Sequence, residues 1–189
     1  MWNPFRIAAN PLRLRLSQPS TATSANDLSK EAYELRLLNL FLPPVLSEQP
    51  RAVLKREAPD FELLTPSGRL FIELVDAVPC AISSSSREQL AKRRSRPNNE
   101  AYRIDVDQFG DVIGKEIRRK QAKAETWIRK EPSLTGRLIL LVNGGQGPLP
   151  LVNYFPNNQM FAAAVPLQSI SPFRAVAVAD WGGAYVWET

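Results

Sequence analysis

The stretch from Ala58 to Val75 constrains this chain more than any other. Two apolar-rich runs flank Thr65-Pro66-Ser67-Gly68, a tetrapeptide that suits a type I turn. Pro66 has its φ pre-set at the second turn position, and Gly68 can take a positive φ at the fourth. The stretch therefore reads as a β-hairpin whose register the turn fixes. With Thr65 opposite Gly68, Leu64 faces Arg69 and Asp60 faces Glu73. Alternation then puts Phe61, Leu63, Leu70, Ile72 and Leu74 on one face, and Asp60, Leu64, Phe71, Glu73 and Val75 on the other. Directly opposed residues have Cβ atoms about 4.5–5.5 Å apart, where two carboxylates repel unless something lies between them. A divalent cation removes that conflict, since Mg²⁺ is held by one or two carboxylates together with water and phosphate oxygens. The competing reading is an ordinary surface hairpin with carboxylates at its open end.

The residue types available narrow the chemistry further. The 189 residues contain no histidine and one cysteine, Cys80. Ser-His-Asp and Cys-His catalysis, histidine-dependent zinc sites, an intrachain disulfide and a four-cysteine zinc site are all excluded. Any metal must be bound by oxygen, which favours Mg²⁺, Mn²⁺ or Ca²⁺. The formal net charge of +5 suggests a polyanionic partner such as nucleic acid. No apolar run reaches the length a membrane span requires, so the chain is expected to be cytoplasmic and free of membranes.

Residues 1–26 carry Arg6, Arg13 and Arg15, then a Ser/Thr-rich run, with no acidic residue before Asp27. They read as an N-terminal arm and linker, or as a transit-peptide-like segment. Residues 27–189 read as a single domain. A helix from about Leu28 to Phe41 is capped by Asp27 or Ser29 and ended by Pro43-Pro44. Its apolar positions are Leu28, Ala32, Leu35, Leu38 and Leu42, which places Glu31 within the stripe and Glu34 at its edge. A carboxylate on a buried face needs a partner, either a basic side chain or a metal. Residues 51–57 read as a strand entering the hairpin.

Residues 77–104 have no clear period and hold the basic cluster Arg87, Lys92, Arg93, Arg94 and Arg96, suited to phosphates or to a solvated loop. Asp107 can cap a helix from about Gln108 to Lys130, with Val112, Ile113, Ile117, Ala124, Trp127 and Ile128 on its apolar face. Lys120 lies inside that stripe, while Arg118 and Arg119 fall outside it. A lysine at a stripe is usually a stem reaching out to water, or a partner of Glu116. Arg137 to Val142 is a continuous apolar run, the mark of a buried parallel strand. A short helix over residues 157–165 and two strands, Phe173 to Ala179 and Ala184 to Trp187, complete the reading.

Pro59-Asp60, the short hairpin and Glu73-Leu74-Val75 together resemble the core of the PD-(D/E)XK nuclease superfamily, over roughly residues 28–142. The resemblance implies a restriction-endonuclease-like fold, an α/β three-layer αβα core in which a central mixed sheet is flanked by helices. It also implies metal-dependent phosphodiester hydrolysis of nucleic acid, with DNA the expected substrate. Asp60, Glu73, the Leu74 carbonyl and Glu31 would be the metal ligands, with Mg²⁺ or Mn²⁺ as cofactor. Val75 stands where the motif lysine is expected. Some branches carry that lysine on the following helix, which makes Lys120 the third catalytic candidate. Arg87, Lys92, Arg93, Arg94, Arg96, Arg118 and Arg119 would contact the nucleic-acid backbone. Many nucleases of this fold act as dimers, so a homodimer is an expected assembly. The alternative is a non-catalytic member of the same fold that binds nucleic acid or protein, or an assembly protein of a phage or mobile element.

Overall fold

The computed structural model describes residues 2–7, 14–17, 25–46, 48–76, 106–144, 155, 158–180 and 183–189. The elements in chain order are β1 (Trp2–Ile7), α1 (Ala25–Phe41), β2 (Ala52–Lys55), β3 (Phe61–Thr65), β4 (Gly68–Asp76), α2 (Val106–Lys130), β5 (Leu138–Asn143), α3 (Asn158–Ala164), β6 (Ala175–Asp180) and β7 (Gly183–Glu188). A 3₁₀ turn over Pro132–Leu134 links α2 to β5. The strands form one seven-stranded sheet in the order β1-β7-β6-β5-β4-β3-β2. Strands β4, β5 and β6 run parallel, and every other neighbouring pair is antiparallel. The fold is therefore α/β with an open mixed sheet.

The hairpin explains the local order of the sheet. Thr65 pairs with Gly68, and the register runs back to Phe61 opposite Ile72, as the turn chemistry requires. Gly68 has φ +135°, a conformation that glycine adopts without strain. The Thr65 hydroxyl donates to the Gly68 carbonyl at 2.9 Å, which closes the turn. After β4 the chain crosses over through α2 and returns as β5, buried along its whole length. A parallel pair needs such a crossover, and a strand covered on both faces reads as an unbroken apolar run.

Alternation splits the interior into two cores, one on each face of the sheet. Phe71, Val75, Leu138, Leu140, Val142, Val176, Val178, Tyr185 and Trp187 meet α2 and α3 through Phe109, Ile113, Ile117, Ala124 and Phe161. Leu70, Ile72, Leu74, Ile139, Leu141 and Val186 meet α1 through Leu37, Leu38 and Phe41. The alanines at 175, 177 and 179 of β6 share that second face, and their small side chains leave room for α1. On the other side α2 meets α3 at Gly110, where a Cβ would stand 1.7 Å from the Ala164 carbonyl oxygen. That approach requires glycine.

Two features depart from the sequence reading. The stretch read as an arm contributes β1, which pairs with β7 through a register shift between Asn3 and Arg6. A second part of it, residues 14–17, ties α1 to β2. The Leu14 N–H donates to Asn39 Oδ1 at 2.6 Å, and Asn39 Nδ2 donates to the Leu14 and Leu35 carbonyls. The Ser17 N–H donates to the Val53 carbonyl at 2.8 Å, and the Val53 N–H donates to Ser17 Oγ at 3.0 Å. The other departure is the rotation of α1. Leu38 and Leu42 of the expected stripe are fully buried, but Ala32 is exposed while Leu37 and Phe41 are buried, so the buried face is shifted from the expected stripe. That rotation brings Glu34, rather than Glu31, to the centre of the face. Among the described residues no helix is long and apolar enough to cross a membrane.

Candidate functional site

The site lies where β3 begins and β4 nears its end. Continuing the observed register by one pair places Asp60 opposite Glu73. Asp60 is held there by the backbone of the neighbouring strand, since the Leu74 N–H donates to its Oδ2 at 2.8 Å. Leu74 thus reaches Asp60 through its N–H. Glu73 points to the α2 face of the sheet and is only 5% exposed. Its partner is Lys120, in the middle of α2, which is 9% exposed and places Nζ on Glu73 Oε1. A lysine inside an apolar helix stripe is thereby accounted for. The ammonium turns inward to a buried carboxylate on the sheet.

A second lysine, Lys55 at the end of β2, approaches from the opposite face. It pairs across from Phe61 and therefore points toward α1. Its Nζ lies 2.7 Å from Glu34 Oε2, 3.6 Å from Asp60 Oδ1 and 4.5 Å from the centre of the Phe61 ring. Glu34 Oε2 is buried, and although Lys55 is close, no group among the described residues gives it an aligned hydrogen bond. Lys30, one turn earlier on α1, also lies 3.7 Å from Glu34 Oε1, so the three carboxylates Glu34, Asp60 and Glu73 face three ammonium groups, of Lys30, Lys55 and Lys120, and the charges balance.

A cleft of about 510 Å³ adjoins Glu73. Glu57 and Ala58 line one side, and Ala122, Lys123, Thr126 and Trp127 of α2 line the other. Beside the cleft a separate ion network braces the strands. Arg56 donates to Glu62 at 2.9 Å and to Glu131 at 2.7 Å, and its guanidinium lies over the Phe71 ring. Glu62 is buried and also lies 3.4 Å from Arg69. All its charges are matched by partners within the network.

The structure brings Asp60, Glu73 and Lys120 into one cluster, and Leu74 joins it through its N–H on Asp60, where the resemblance implies its carbonyl. Glu31 is half-buried one turn before Glu34, and the glutamate that reaches Asp60 through Lys55 is Glu34. Val75 is buried in the core beneath α2. Arg118 and Arg119 are exposed on α2, and Arg119 bonds to Glu116 one turn back. Arg87, Lys92, Arg93, Arg94 and Arg96 lie outside the described residues. Lys55 and Glu34 were missed as a pair. The only sequence signal for Lys55 was a cation at the end of an otherwise apolar strand.

The electrostatics mark Glu73 as the strained member. Its carboxyl is raised above the ordinary 4.5, first by burial and then by the charge on Asp60, with Lys120 opposing both. A carboxyl with a higher pKa folded than unfolded favours the native state most below the unfolded value, and that contribution is lost as pH rises through the folded value. In chelator-treated protein, the urea midpoint of the wild type should therefore fall from pH 4.5 upward relative to Glu73→Gln, whose side chain does not titrate. Parallel profiles for the two proteins would refute this.

Comparison with protein-family models, with curated proteins and with solved structures returns no match. Among the described residues no cluster of three or more His, Cys, Asp and Glu side chains converges on one point. The carboxylates are instead interleaved with lysines. The donor set still suits a hard divalent cation. It is all oxygen, and Glu73 is held in a position that burial and Asp60 both disfavour.

Proposed function

We propose that this chain is a metal-dependent nuclease of the PD-(D/E)XK kind, hydrolysing phosphodiester bonds in nucleic acid, with DNA the expected substrate. The observation that carries this reading is Lys120. It lies 47 positions from Glu73 in sequence yet is buried against it, beside Asp60, where Val75 cannot supply an ammonium. The order of elements supports it too, with a helix, a three-strand meander bearing the carboxylates, a second helix and a parallel strand. Asp60 and Glu73 would hold Mg²⁺ or Mn²⁺. Such an ion, when bound, lowers the pKa of a water and stabilises charge on a phosphate.

The remaining roles belong to the chain's own groups. The Leu74 N–H fixes the Asp60 carboxylate, and Lys120 holds Glu73 and presents a positive charge to the phosphate oxygens. The cleft beside Glu73, with Lys123 and Trp127 on its wall, has a cation for a neighbouring phosphate and an indole for a base. The second reading is a non-catalytic binding protein, favoured by the way three lysines already neutralise the three carboxylates.

The test is cleavage of supercoiled DNA, linear duplex, single strand and RNA with Mg²⁺, Mn²⁺ or a chelator. We expect metal-dependent cleavage that Asp60→Asn reduces at least about 100-fold, the scale of losing one charge-stabilising group. Folded wild type that binds these substrates and cuts none of them would favour the binding reading.

A further inference from the structure

The metal reading of the carboxylate pair raises the question of how many cations the site holds, and Lys55 bears on it. The Glu34 and Asp60 carboxylates both reach Lys55, whose side chain lies on the α1 side of the sheet. The Lys55 ammonium lies between them, 2.7 Å from Glu34 Oε2 and 3.6 Å from Asp60 Oδ1. It is anchored on a third side by the Phe61 ring face at 4.5 Å. Its side chain is 21% exposed, and those of Glu34 and Asp60 are 12% and 19% exposed. An ammonium held by two carboxylates and an aromatic face is much less readily displaced than a surface lysine, whose alternative is full hydration.

We propose that Lys55 is a built-in cation filling the Glu34–Asp60 position, so that the centre takes a single divalent ion, between Asp60 and Glu73. This rests on the metal reading given above. Lys55 and a second divalent ion exclude each other. They would share the same carboxylate oxygens, and an ammonium and a doubly charged ion repel at such separations. Lys55 also links α1 to the hairpin, and so sets where Glu34 stands relative to Asp60. The exposed Lys30 lies 3.7 Å from the other oxygen, Oε1, so Glu34 Oε2, close to Lys55 but without an aligned hydrogen bond, is the atom left available to a metal when the Lys55 ammonium is removed.

The experiment is a Mn²⁺ titration of the full chain at neutral pH, read by the spin-resonance signal of free Mn²⁺ and by calorimetry. It compares wild type, Lys55→Met, Lys55→Arg and Lys55→Met/Glu34→Gln. Methionine keeps an apolar stem on Phe61 without the charge, and near-UV circular dichroism checks that each variant is folded. One bound Mn²⁺ is expected for wild type and Lys55→Arg, two for Lys55→Met, and one again for the double variant. Two ions on the wild type, or one on folded Lys55→Met, would overturn the Lys55 assignment and leave the metal reading standing. No ion on the wild type would overturn both. Should Lys55→Met not fold, Lys55→Gln replaces it under the same criteria.

Discussion

Replacing Lys120 by methionine should destabilise the protein by about 3–5 kcal/mol, because it leaves a buried carboxylate without its counterion. Glu73 is 5% exposed and already raised by burial and by Asp60, so it can neither rehydrate nor tolerate the loss of its one opposing ammonium. Urea unfolding of Lys120→Met, with Arg129→Met as an exposed control on the same helix, measures the effect. The double variant Lys120→Met/Glu73→Leu separates folding from chemistry. Removing both charges together should recover most of the stability, since a well-packed apolar pair can replace a buried ion pair. In the cleavage assay the same double variant should remain inactive. A double variant as unstable as the single one would mean that shape, not charge, fixes this contact. A Lys120→Met protein that still cleaves at the wild-type rate would remove Lys120 from the chemistry.

The second large effect lies in the opposite corner of the α2 face. Phe161 of α3 is fully buried and stacks on Tyr185, with ring centres 3.8 Å apart and an angle of 6°. Phe155 meets it edge-on at 5.2 Å, and Trp187 lies at 5.4 Å. Tyr185 anchors the group by donating its hydroxyl to the Phe155 carbonyl. Burial, and then the charge on Asp180, pushes that phenol up to about 12, so it stays a donor at neutral pH. Helix α3 has seven residues, too few to hold its shape without tertiary contacts. Phe161→Ala should therefore cost about 3–5 kcal/mol and release α3 from the sheet. Met160→Ala, at an exposed neighbouring position, should stay within about 0.5 kcal/mol of wild type. Chemical denaturation of the two variants decides the matter, and equal losses would contradict this account of the aromatic cluster.

The carboxylate hairpin was legible because its information is local. Thr65-Pro66-Ser67-Gly68 defines a turn, the turn defines a register, and the register places Asp60 against Glu73 without any knowledge of the rest of the chain. Lys120 was legible because α2 has a strong apolar stripe, so a lysine within it stands out. Helix α1 gave a weaker pattern. Its buried line runs through Leu37 and Phe41, and packing against the alanines of β6 rather than its own periodicity decides which face turns inward. That is why Glu31 looked central and Glu34 is the residue beside Lys55. Lys55 itself was hidden because no turn chemistry fixes how β2 registers on β3. β1 was hidden for another reason, since Pro4 weakens any strand assignment and is tolerated only where one side of the strand needs no partner.

Residues 14–17 have a consequence for what can reach the carboxylates. β2 ends the sheet, and an open edge there would offer the N–H and C=O of Val53 to any extended peptide or to another copy of the chain. Ser17 already satisfies both groups. At this position the chain acts as its own last strand, so self-association by edge pairing is blocked beside the end of the sheet that carries Asp60 and Lys55. At Val53, backbone zippering onto β2 is therefore closed to an extended peptide and to a second copy of the chain alike.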